Sequence, residues 1–123
     1  TQNKRIFYSG DGGYGPHFKM IGEHFKRFDL TIMENGQYNP RWPYIHMMPE
    51  EFLIAAKNLR TKRVIAVHNS KFELALHSWK EPLEKITTLN EKENQRLITP
   101  KIGEMVHWED DAKVYEKWWK KYD

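Results

Sequence analysis

Short β-prone runs that alternate with proline-opened amphipathic segments constrain this chain more than any other feature of its sequence. Residues 5–9 (RIFYS) stop at Gly10, a glycine-rich turn occupies 10–15, and Pro16 stands at a first helical position. Phe18, Ile21 and Phe25 then recur at helical spacing before 28–33 (FDLTIM) resumes a buried strand. Residues 34–48 hold the breakers Asn35-Gly36, Asn39-Pro40 and Trp42-Pro43, so they read as a long loop. Pro49 opens the next helix with Glu50 and Glu51 in its first turn, and Phe52, Ala55, Ala56 and Leu59 form its apolar face. Residues 63–67 (RVIAV) are a continuous apolar run of the kind buried on both faces of a sheet, and the run ends at His68. Glu81-Pro82 start a third helix with Leu83, Ile86 and Leu89 inward. Residues 105–108 read as a last strand. From Glu109 a terminal helix is expected, because Trp108, Ala112, Tyr115, Trp119 and Tyr122 fall on one stripe, with acids at its start and Lys117, Lys120 and Lys121 at its end.

Strands alternating with helices predict an α/β fold of mainly parallel β-α-β units with a C-terminal helix, all in one domain or one part of one. In such sheets ligands gather at the carboxyl ends of the strands, where the 10–15 turn, the 34–48 loop and His68 lie. An aromatic share of 14% in 123 residues argues for an ordered core. No stretch reaches the roughly 20 apolar residues of a membrane helix, so no transmembrane segment is expected. With no cysteine, disulfides and thiolate metal sites are excluded, and a metal would rest on histidine and carboxylate. The net charge of +3 comes from lysines interleaved with acids, which does not make a nucleic-acid face.

The residues 10–15 (GDGGYG) end a strand, present a carboxylate and turn sharply toward a helix. Backbone amides at such a turn can bind phosphate, although the lysine of a P-loop and a full GxGxxG are both missing. Asp11 can instead ligate a metal, or simply cap the helix or brace the turn. His68 leaves its strand at the sheet edge, where an imidazole serves as a ligand or as an ordinary hydrogen-bonding group. With the three strands side by side, Asp11 and His68 start about 10 Å apart, two strand spacings, a gap their side chains and two metal bonds of about 2 Å can close. His46, after Arg41, Trp42 and Tyr44, lies in the loop between them.

The series GDGGY (10–14), GQYNPRW (36–42), IHMMPEE (45–51), AVHNSKF (66–72) and LITPKIGE (97–104) resembles the metallo-β-lactamase superfamily. More narrowly, it looks like the branch containing N-acyl-phosphatidylethanolamine-hydrolysing phospholipase D and RomA-like proteins. The resemblance runs from about residue 5 to 104, and it implies that residues 1–123 are the carboxyl-terminal part of a metallo-β-lactamase-like domain, half of an αββα sandwich. It implies two zinc ions in the intact protein, with Asp11 bridging them and His68 completing the second ion's ligands. His46 matches a histidine at the active-site mouth and would donate to the reacting group. The implied chemistry is hydrolysis of a phosphodiester, lactone, amide or ester by metal-bound hydroxide, on a small-molecule or lipid-like substrate.

The chain departs from the family in lacking the HxHxDH motif and the further histidine that follows it, so its metal site is expected to be incomplete and the fragment inactive alone. Gly12 replaces a threonine or serine, and Asn69 stands where the branch usually has tryptophan. His17, His24, His77 and His107 match no ligand position. A sheet without its opposing half should cover its apolar face by docking on that half or by homo-oligomerisation. Two other readings are a self-contained doubly wound module that binds a phosphate-bearing ligand, and a catalytically silent domain used for protein contacts.

Overall fold

The computed structural model describes residues 3–122, so Thr1, Gln2 and Asp123, which the expected domain includes, lie outside it. Its elements are β1 (Ile6–Tyr8), α1 (His17–Phe25), β2 (Leu30–Glu34), α2 (Pro49–Asn58), β3 (Val64–Val67), α3 (Glu81–Glu93), β4 (Leu97–Ile98) and a terminal 3-10 turn (Trp118–Lys121). The strands form one sheet in the order β1-β2-β3-β4, every pair parallel, as the β-α-β spacing requires.

The register sorts the side chains into two faces. Phe7, Thr31 and Val64 are aligned across the sheet, and Met33 with Ala66 continues the same face. Phe7, Met33, Val64 and Ala66 join Phe18, Phe52, Leu59, Leu83 and Ile86 in one core. Phe52, Leu59, Val64 and Ile86 are completely shielded, each worth about 1.5–3 kcal/mol of transfer free energy. Because α2 packs on both α1 and α3, the helices make one layer on this face. The doubly wound arrangement, with helices on both faces, is therefore not formed among the described residues.

The opposite face carries Ile6, Tyr8, Ile32, Ile65 and Val67 by the same alternation. Ile6 and Tyr8 are more than half exposed and the other three are half-buried, whereas Leu30 and Ile98 on the same face are buried, so the face is open mainly at its β1 edge. The expectation that 63–67 is buried on both faces is corrected accordingly.

Two further expectations fail in the last quarter. Residues 105–108 form no strand, and the last strand is instead β4, paired with β3 through Val64↔Leu97 and Ile65↔Ile98. The terminal helix from Glu109 is also not formed. Arg96 Nη2 donates to the carbonyls of Asp110, Asp111 and Lys113, acceptors that a helix would have used itself. Asp111 meanwhile receives a bidentate pair from Arg63 at 2.8 Å, and Glu109 pairs with Lys4, so the segment lies along the amino edge of the sheet. Only Trp119 of the predicted stripe is fully buried.

Candidate active site

The carboxyl ends of β1, β2 and β3 deliver Asp11, Glu34 and His68 to one edge. Asp11 Oδ1 lies 3.7 Å from His68 Nδ1. The His46 ring stacks on that of His68, with centroids 5.2 Å apart and planes at 21°. The three candidate residues thus meet, although they are separated by more than 20 positions in the sequence. His46 is mostly shielded, whereas Asp11 and His68 remain open to solvent.

Local structure holds each of them. Tyr14 of the glycine turn stacks on Phe18 and accepts a 2.7 Å hydrogen bond from Asn58 Nδ2, which hangs the turn on the end of α2. A Cβ on Gly13 would sit 2.5 Å from the Tyr44 carbonyl, so glycine there lets the 34–48 loop close over the turn two residues before His46. At Gly36 a Cβ would lie 1.6 Å from the His68 carbonyl oxygen, so glycine is required for the loop to cross the end of β3. His68 itself has φ of 66° and Ser70 of 67°, a left-handed backbone that side-chain-bearing residues rarely adopt and that clusters at functional sites.

Glu34 was not singled out from the sequence. It is fully buried, its Oε1 accepts the Met47 N–H at 2.5 Å, and its Oε2 faces His46 Nδ1 at 3.4 Å. Burial pushes the Glu34 carboxyl up to about 7, the N–H groups of Met47 and Gly36 oppose this, and the charges of Asp11 and Glu51 add to it. Burial pushes the His46 imidazole down, reinforced by His68 and resisted by Asp11. Such opposed shifts in touching groups are what acid–base sites build. The sequence signal for Glu34 was its place at the end of the middle strand, between the strands that end at Asp11 and His68.

The remaining histidines do not join this cluster. His77 stacks on Tyr38 at 4.3 Å, His17 packs on Phe18, His24 packs edge-on against Phe25, and His107 is exposed. At Gly12 a Cβ would meet open space, so the threonine or serine it replaces would fit. Asn69 Oδ1 accepts from Ser70 Oγ at 2.8 Å, while its buried amide nitrogen has no partner.

As a donor set, Asp11 and His68 fit a shared cation, since two metal bonds of about 2 Å span a 3.7 Å gap. Among the described residues, no group of three or more histidine, aspartate or glutamate side chains is arranged to hold a metal ion. Two donors are fewer than the three protein ligands that a catalytic zinc ordinarily takes.

Comparison with known proteins agrees with the sequence resemblance. A family model described as "Beta-lactamase superfamily domain" matches residues 1–69. The outer membrane protein RomA of Klebsiella pneumoniae is 57% identical over 68 residues, covering 55% of this chain and 52% of that protein. A mitochondrial N-acyl-phosphatidylethanolamine-hydrolyzing phospholipase D of Saccharomyces cerevisiae is 35% identical over 107 residues, covering 82% of this chain and 23% of its own length. Igni18, a metallo hydrolase from Ignicoccus hospitalis, superposes with a TM-score of 0.63 at 21% identity, over 86% of this chain and 42% of that one. The chain thus spans about half or less of each protein it matches. Since the family model covers more than half of its 123 residues, and the parallel sheet with its helix layer shares the metallo hydrolase fold, the chain belongs to the metallo-β-lactamase superfamily.

Proposed function

We propose that this chain is the carboxyl-terminal part of a zinc-dependent hydrolase, supplying Asp11 and His68 as metal ligands and His46 as a donor to the reacting group. The observation that carries this reading is the approach of Asp11 Oδ1 to within 3.7 Å of His68 Nδ1, with the His46 ring stacked on the same imidazole. Bound zinc would supply Lewis-acid polarisation and an activated water. Asp11, exposed at the head of the glycine turn, would hold the metal together with His68. His46 is held over His68 by the loop, in place to donate to an oxygen of a phosphodiester, lactone, amide or ester.

The names of its relatives favour a lipid-like phosphodiester among these substrates. The exposed Ile6 and Tyr8, beside the half-buried Ile32, Ile65 and Val67, support a half-sandwich that docks on a second sheet, supplied by the rest of the protein or by another copy.

The experiment is metal analysis of the full-length protein with a panel of phosphodiester, lactone and β-lactam substrates. Asp11→Ala is expected to lose both zinc and turnover, whereas His46→Ala keeps its zinc and loses turnover. Equal zinc loss in both variants makes His46 a ligand instead. The isolated 123-residue chain is expected to bind zinc weakly and below one equivalent, without turnover; tight stoichiometric binding with hydrolysis would falsify the half-site.

A further inference from the structure

We infer that Glu34 is the positioning residue of the site, gripping His46 and Met47 with its two carboxylate oxygens so that the His46 ring presents Nε2 to the reacting group. The inference rests on the proposed role of His46 and adds a residue to it. Glu34 ends β2, and its backbone is pinned there because its N–H donates to Ser9 Oγ at 3.1 Å. Its side chain is 1% exposed, with no room to swing away. Oε1 takes the Met47 N–H at 2.5 Å, which fixes the loop backbone one residue beyond His46. Oε2 and His46 Nδ1 face each other at 3.4 Å, and neither completes a hydrogen bond among the described residues. A buried carboxylate oxygen and a buried ring nitrogen left unpartnered 3.4 Å apart are satisfied by a small closing movement into an Nδ1–H to Oε2 hydrogen bond.

That bond selects the tautomer. With Nδ1–H given to Glu34, Nε2 is the nitrogen left to the opening, where it takes up a proton from water before donating it to the reacting group, and the ring plane is set by the carboxylate. This is the orienting role a buried carboxylate plays toward an active-site histidine. Other carboxylates do not compete for Nδ1: Asp11 faces His68, and Glu51 accepts the Met48 N–H at 2.8 Å.

Glu34→Gln is the discriminating substitution. Met47 N–H demands an acceptor, so the amide must turn its oxygen there and its NH2 toward His46 Nδ1, converting that nitrogen from donor to acceptor. The full-length protein with 15N-labelled histidine is examined by NMR at about pH 8.5, where carboxylates are ionised and imidazoles neutral. The His46 signals are assigned by their loss in His46→Ala. The expected result is a proton on Nδ1 in the wild type and on Nε2 in Glu34→Gln. With it, kcat should fall about 10- to 100-fold, the usual cost of losing an orienting partner, while KM and zinc content hold. A wild-type spectrum with the proton on Nε2, or one tautomer shared by both proteins, overturns the inference, and the wild-type spectrum alone decides if Glu34→Gln does not fold. Full turnover in His46→Ala overturns instead the proposed donor role of His46, a failure the tautomer spectrum separates from failure of the Glu34 contact.

Discussion

The central strand β2 is bracketed by two buried carboxylates, Asp29 just before its amino end and Glu34 at its carboxyl end, and they are treated in opposite ways. Asp29 receives the Arg5 N–H at 3.0 Å and Lys62 Nζ at 3.0 Å, and these partners hold its carboxyl down at about 2. Glu34 receives no cation; burial raises its carboxyl to about 7, and its second oxygen is turned to an imidazole. One end of the strand thus uses a charge to tie β1 and the start of β3 together. The other end keeps an incompletely satisfied carboxylate among the residues proposed to act. A buried charge with matched partners stabilises a fold, and one left short of partners marks a place where stability was not the only demand.

The contrast can be broken most decisively by pH. The folded pKa of Glu34, about 7, lies above its unfolded 4.5, so its contribution to stability is fully present below pH 4.5 and is lost as pH rises through 7. Denaturant titrations of the wild type should show a decline across that window of up to about 3 kcal/mol that Glu34→Gln removes. Identical pH slopes in the two proteins would mean that Glu34 is as well partnered as Asp29.

Kinetics sharpen the comparison next. In the full-length protein Asp29→Asn is expected to leave kcat and KM unchanged per folded molecule, against the about 10- to 100-fold loss of kcat in Glu34→Gln. Equal losses in both would remove the division of roles. The smallest effect is at the other pH extreme. The folded pKa of Asp29, about 2, lies below its unfolded 3.8, so its contribution is present above pH 3.8 and is lost as pH falls toward 2. Since Lys62 is half exposed, solvent screening limits this to about 1–2 kcal/mol, measurable as a lower unfolding midpoint of Asp29→Asn at neutral pH.

The same contrast explains what could be read in the sequence. Strands β1 to β3, their helices and the residues at the strand ends follow from local patterns: an apolar run, a breaker, a proline, a spacing of three or four. Asp11 and His68 are legible because His68 directly follows such a run and Asp11 follows one across Gly10. Glu34 also ends one, but the Asn35-Gly36 that follows made it look like the first residue of a solvated loop. Its burial depends on Met47 and His46 folding back over it, a contact no local pattern encodes. The terminal segment failed for a related reason. Its helical stripe is real in sequence, yet Arg96 and Arg63 draw its carbonyls and Asp111 to the edge of the sheet, and those long-range bonds override propensity.

The left-handed backbone at His68 has a consequence for anyone who would engineer this chain. Glycine adopts φ of 66° freely, so His68→Gly would relieve strain worth about 1 kcal/mol and would rank among the attractive single changes in a search for thermal robustness. That search would select the variant that erases the imidazole against which Asp11 and His46 are both set. Optimising this scaffold for endurance alone therefore leads away from its chemistry, and residue 68 should be held constant in any such library.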